Sequence, residues 1–241
     1  MRFWDDLAAH GEHPALITEN GPVSHAGLAA RADALHAGIA KVLPRALSRP
    51  LVLLEACNTP ESIVAYVAAL RAGWPVILVA EGAAGDDTDI VRLYRPNVIL
   101  RADDGWIPTL ASSSPVVMHP ETAVLLSTSG TTGAAKLVRL SRDNLTSNAA
   151  AIASYLDVGP QDRALTLLPF HYSYGLSVLH IHLLRGAALV LTEGSLIDAG
   201  VRAFAVRHGV TTLALVPTQF ELLAGTDWLA TLRTVTQAGG L

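Results

Sequence analysis

The chain has one cysteine, Cys57, so no disulfide can form within it, and this usage fits a reducing cytoplasm. Charge is scarce: 16% of residues are Asp, Glu, Lys or Arg, and the formal net charge is −4. That balance excludes the basic footprint of a nucleic-acid binder. Lysine is rarer still, with Lys41 and Lys136 standing beside fifteen arginines. No uninterrupted apolar run is long enough to span a bilayer. Met1-Arg2 is followed by Asp5 and Asp6 instead of an apolar leader core, so a cytoplasmic location is expected. Three catalytic or binding signatures are also lacking. No G-x-G-x-x-G follows the first strand, no lysine has the flanking glycine and Ser/Thr of a P-loop, and no G-x-S-x-G elbow occurs. His171-Tyr172-Ser173-Tyr174-Gly175 comes near the elbow but begins with histidine, which leaves a serine hydrolase using Ser173 as a minor alternative. His180 and His182 are two apart, without a cysteine or carboxylate cluster, so no metal centre is expected.

What is present is an alternation of two element types. The 241 residues are 51% hydrophobic, enough for one large domain or two small ones. Asn20-Gly21 is a hairpin signal between residues 15–18 and 23–25, and helical periodicity covers 26–42. Short apolar runs at 51–54, 76–79, 98–100, 116–118 and 124–126 read as buried strands. Thr59-Pro60-Glu61 opens a helix that runs to Arg71 and stops at Gly73. Further strands are expected at 137–140, 164–168, 188–191, 211–215 and 232–236. Helices are expected after Ser141, near 177–184, and over 196–208 and 219–224. Residues 81–89 and 103–114 read as loops whose acids face water. The pattern predicts an α/β fold with mainly parallel sheets.

Between two of these strands runs Ser127-Thr128-Ser129-Gly130-Thr131-Thr132-Gly133-Ala134-Ala135-Lys136. By composition alone a Ser/Thr/Gly run is more often a flexible linker. Its flanks, however, are apolar and strand-like, and it ends on one of only two lysines. Glycines let backbone N–H groups converge on an anion, hydroxyls donate further bonds, and lysine adds a compact charge on a long stem. The chemistry is that of a loop gripping nucleotide phosphates.

This loop resembles the phosphate-binding signature of the adenylate-forming enzymes: acyl-CoA synthetases, luciferases and peptide-synthetase adenylation domains. Their pattern is roughly [ST]-S-G-[ST]-T-G-x-P-K. Thr128, Ser129, Gly130, Thr131, Thr132, Gly133 and Lys136 match it, and Ala135 departs where proline is usual. Similar segments recur in order along the chain: 14–17 with 23–28, Asn58-Thr59-Pro60-Glu61, the aromatic motif at 168–175, Val216-Pro217-Thr218 and Thr236-Gln237-Ala238-Gly239-Gly240.

The resemblance implies two packed, mainly parallel sheets with flanking helices. It groups residues 1–50 with 160–241 in one subdomain and places the loop in a second, 51–159. It implies ATP with Mg²⁺, a carboxylic acid substrate, and a thiol acceptor, either coenzyme A or a phosphopantetheinyl carrier protein. In that reading the loop holds phosphate, and Tyr174, Gly239 and Gly240 line the substrate pocket. Tyr172 occupies the position where a catalytic histidine is usual, with His171 one residue earlier, so either could meet the carboxylate. The family's further half, including its Mg²⁺ carboxylate, is expected beyond Leu241, so the resemblance implies that these residues alone are inactive or weak. A stand-alone nucleotide- or acyl-binding module, or a half-enzyme completed by a second chain, is the alternative.

Overall fold

A computed structural model describes residues 2–127, 136–223 and 230–239. After a 3-10 turn at Leu7–His10, the described elements run β1 (Pro14–Thr18), β2 (Gly21–Ser24), α1 (His25–Val42), β3 (Val52–Glu55), α2 (Pro60–Arg71), β4 (Val76–Val79) and α3 (Asp89–Tyr94). Next come β5 (Val98–Leu100), β6 (Thr109–Leu110), β7 (Thr122–Ser127), β8 (Leu137–Ser141), α4 (Arg142–Tyr155) and β9 (Arg163–Thr166). The last are α5 (Ser173–Arg185), β10 (Ala188–Leu191), α6 (Ala199–Arg207), β11 (Thr212–Leu215), α7 (Pro217–Leu223) and β12 (Thr234–Gln237).

The chain forms two compact units, Met1–Leu28 with Asn148–Leu241, and Ala29–Ser147. One six-stranded sheet has the order β12-β11-β9-β10-β1-β2; only the β1–β2 hairpin is antiparallel. The other has the order β6-β5-β3-β4-β7-β8, with antiparallel pairs only at its two edges. Strands β3, β4, β10 and β11 are buried at every residue. This is why they read as unbroken apolar runs: helices joining parallel strands cover the sheet. In the second sheet Leu51, Leu53, Ile77, Ile99 and Leu125 form one core cluster. Each such side chain stabilises the fold by about 1.5–3 kcal/mol relative to exposure.

Helix α2 begins as its sequence predicts. Thr59 accepts from the Ser62 N–H at 3.4 Å, Pro60 takes the first turn, and Gly73 ends the segment at φ +72°. Elsewhere the structure corrects the sequence reading. Residues 116–118 form no strand: Val116 and Met118 pack on the core cluster while Val117 is 97% exposed. The side-chain alternation is there, but no described strand pairs with the backbone. The loop expected over 81–89 leads directly into α3, capped by Thr88 and closed by Arg95 at φ 46°. Helix α5 starts at Ser173, four residues before the expected turn, and α6 starts at Ala199 after the Asp198 carboxylate accepts from the Ser195 N–H at 2.8 Å.

At the amino ends of β9, β11 and β12 the buried Asp162 accepts from Gly159 N–H (2.8 Å), the Thr211 hydroxyl (2.9 Å) and Arg233 (3.2 Å). One carboxylate thereby ties three strands. Among the described residues no helix is long and apolar enough to cross a membrane.

Candidate active site

Within residues 29–147, β7 and β8 are antiparallel, and their last register pair is Ser127 with Leu137. Ser127 and Leu137, which flank the hydroxyl-rich run in sequence, therefore face each other in the sheet. The candidate residues Thr128, Ser129, Gly130, Thr131, Thr132 and Gly133 lie outside the described residues, as does Gly240. Lys136 is described; it is exposed and immediately precedes β8. Leu137 packs against the core cluster, as does Tyr94 at the end of α3. The Leu137 N–H donates to the Tyr94 hydroxyl at 3.2 Å. Sequence reading missed Tyr94 because it lies 43 residues from its partner.

The same unit holds a cavity of about 400 Å³ lined by Glu55, Glu81, Asp86, Arg101 and Asp103 with two glycines. The acids of residues 81–89 and 103–114 do not all simply face water. Asp86 pairs with Arg101, and one Asp104 carboxylate oxygen is buried. Glu55 is buried and committed to the backbone: its carboxylate accepts from Ala84 N–H (3.1 Å) and Ala102 N–H (2.8 Å). Its carbonyl accepts from the Trp106 indole and the Ser62 hydroxyl, both at 3.0 Å. These bonds make it a tie among the loops at the carboxyl ends of the strands.

In the unit containing residues 148–241, the aromatic motif forms a tight turn into α5. The Tyr172 N–H donates to the Pro169 carbonyl at 3.2 Å, and the Leu176 N–H donates to Tyr172 at 2.9 Å. Gly175 is what allows this packing: a Cβ there would stand 2.5 Å from the Pro169 carbonyl oxygen. His171 and Tyr172 place their ring centroids 4.2 Å apart, and the Tyr172 side chain is exposed at the helix amino end. Tyr174 turns the other way, its hydroxyl 2.7 Å from that of Thr236 on β12. Burial pushes the Tyr174 hydroxyl pKa up, while bonds to Thr236 and the Leu215 backbone pull against that shift. Gly239 follows three residues after Thr236 with φ +120°. The structure thus joins the aromatic motif to the strand that leads to Gly239.

The two histidines of α5 are core residues. His180 is buried against Phe3, with ring centroids 4.6 Å apart, and burial lowers its pKa to about 3. His182 is buried with Nδ1 2.8 Å from the Val178 carbonyl. His25 is buried beside His10, and burial, then the neighbouring His10, lowers its pKa to about 4.

The fold is that of the adenylate-forming enzymes. It matches ATP-bound MatB from Rhodopseudomonas palustris with a TM-score of 0.79 at 21% identity, over 99% of this chain and 55% of that one. The chain belongs to the AMP-binding enzyme family, whose model matches residues 100–240. Among curated relatives, the sulfoacetate–CoA ligase of Cupriavidus necator is 35% identical over 130 residues, 51% of this chain and 25% of the ligase. Triostin synthetase I of Streptomyces triostinicus is 26% identical over 254 residues, 91% of this chain and 48% of the synthetase. The chain matches between a quarter and about half of the length of these two relatives.

Proposed function

We propose that this chain is part of an ATP-dependent ligase that activates a carboxylic acid as its acyl- or aryl-adenylate. The observation that carries the reading is the run from Thr128 to Lys136, set between the paired strands β7 and β8 within the region matched by the family model. In the proposed step a substrate carboxylate oxygen forms a bond to the α-phosphorus of ATP. The bond from that phosphorus to the bridging oxygen breaks, and pyrophosphate leaves. Negative charge gathers on the phosphate oxygens, where converging N–H groups, the Thr131 and Thr132 hydroxyls and the Lys136 ammonium would stabilise it. His171 or Tyr172 donates to the attacking carboxylate. Tyr174, Gly239 and Gly240 border the acyl group and the adenine. Among the described residues no group of three His, Cys, Asp or Glu could hold a metal ion.

A thiol then takes the acyl group, with AMP leaving. One relative is named a CoA ligase, which supports coenzyme A as the acceptor; a phosphopantetheinyl carrier protein is the other acceptor in this reading. The domain arrangement in this reading keeps the loop in the subdomain 51–159 and the aromatic motif in the one formed by 1–50 with 160–241.

The test is carboxylate-dependent exchange of labelled pyrophosphate into ATP, by this chain alone and by this chain fused to the remaining length of a full-length relative, across a panel of aliphatic, aromatic and amino acids. Exchange that requires both an acid and Lys136 is the expected result. Nucleotide binding without exchange for any acid would favour a binding module instead.

A further inference from the structure

We propose that Tyr94 is a positioning residue for Lys136, a role that rests on the adenylating reading of the loop. Tyr94 ends α3, and its ring packs against the core cluster that also receives Leu137. Its hydroxyl accepts the Leu137 N–H at 3.2 Å. That peptide nitrogen is bonded directly to the carbonyl carbon of Lys136, so the hydrogen bond fixes the peptide plane on which Lys136 leaves the loop. The position matters because Ser127 and Leu137 are the last paired residues of β7 and β8. The ladder therefore gives Lys136 no described strand partner of its own, and Lys136 sits outside it at the first step. Tyr94 supplies a support from a different element, one whose own placement is set by the Thr88 cap and the left-handed Arg95.

A lysine ammonium sits on a long, rotatable stem, so its effective charge at a phosphate depends on where its Cα is held. Fixing the adjacent peptide removes rotational freedom before the nucleotide arrives, which is a gain from preorganisation and needs no contact with the ligand. A tyrosine that merely fills the core would contribute to stability alone. A tyrosine that positions Lys136 must also alter affinity, and part of that effect must vanish when the lysine is removed.

The test is a double-mutant cycle on the full 241-residue chain. ATP with Mg²⁺ is the probe, and affinity is read by calorimetry or by displacement of a fluorescent ATP analogue. Tyr94→Phe keeps the ring in the cluster and deletes only the hydroxyl. It should weaken ATP binding about fivefold, the size expected for one hydrogen bond. Lys136→Ala should weaken it more. The double variant should bind more tightly than the sum of the two single losses predicts, because part of the hydroxyl's effect is carried by the lysine. Faster amide exchange at Leu137 in Tyr94→Phe should accompany the loss. Wild-type affinity in Tyr94→Phe, or full additivity in the double variant, overturns the role of Tyr94 while leaving the adenylating reading standing. Wild-type chain that binds neither ATP nor pyrophosphate overturns that reading and this role with it.

Discussion

The Tyr174 and Thr236 hydroxyls lie 2.7 Å apart, so the first turn of α5 and the edge strand β12 are joined by one hydrogen bond across 62 residues. Helix α5 carries Tyr174, and Gly239 follows β12 by two residues; both are assigned to the substrate pocket. Tyr174→Phe should lower stability by about 1 kcal/mol, since the partly buried Thr236 hydroxyl loses its partner. Thr236→Val should cost a similar amount, and the two changes together should cost less than their sum. Urea unfolding of the three variants measures this; strict additivity would mean that the two side chains do not act as a pair.

Gly175 tolerates no side chain in the present backbone. Its Cβ would stand 2.5 Å from the Pro169 carbonyl oxygen and 2.8 Å from that of Leu168, and neither atom belongs to a side chain that can rotate away. Gly175→Ala should destabilise by about 1–3 kcal/mol, as overpacking usually does. It should also displace His171 and Tyr172 relative to α5, so any exchange activity should fall by more than the loss of folded protein explains. An alanine variant with unchanged unfolding midpoint and activity would disprove the steric account.

Acid should destabilise this protein through buried neutral histidines. His25 and His180 titrate near 6.5 when unfolded, but burial lowers them to about 4 and about 3 in the folded state. Below pH 6.5 the unfolded chain therefore binds protons that the folded chain refuses. Stability is full above that pH and is lost as pH falls toward 4, by ~1.4 kcal/mol per pH unit for each histidine. Unfolding midpoints at pH 7.5, 6 and 5 follow the slope. Replacing His180 by Leu should remove one proton's worth of it, and an unaltered slope would exclude His180 as a source.

Lys136→Ala should weaken ATP binding by about 10- to 100-fold, the range for a charge-assisted bond to phosphate. Lys136→Arg should recover only part of the loss, because the guanidinium is a planar fork and not a compact point charge. Calorimetric titration with ATP and with pyrophosphate decides it. Unchanged affinity in the alanine variant would remove Lys136 from the site.

Legibility in the sequence followed the range of the interactions. The α2 start was readable because Thr59, Pro60 and Glu61 are neighbours whose effects are local. The parallel cores were readable because strands covered on both faces cannot alternate, as in β3 and β4. Residues 116–118 misled because Val116 and Met118 bury a face as a strand does, whereas strand pairing depends on a neighbour the local pattern cannot reveal. Helix α3 was hidden in an acidic stretch, where its six residues are too few to establish a period. Of the candidate site, the hydroxyl and glycine run with its closing lysine was visible as a motif. The partners that hold its surroundings were not: Tyr94 reaches Leu137 over 43 residues, and Tyr174 reaches Thr236 over 62.

Asp162 bears on how the chain acquires its structure during synthesis. Its partners Thr211 and Arg233 lie 49 and 71 residues downstream, in elements translated well after β9. A nascent chain ending before Thr211 has, of these three partners, only the neighbouring Gly159 amide. Burial of the carboxylate in β9's sheet then waits for the later strands. Pairings at this sequence separation are slow, because loop closure precedes any stabilising contact. The unit that contains residues 148–241 is therefore expected to stay open on the ribosome until Arg233 has emerged, and to be most exposed to aggregation and proteolysis during that interval.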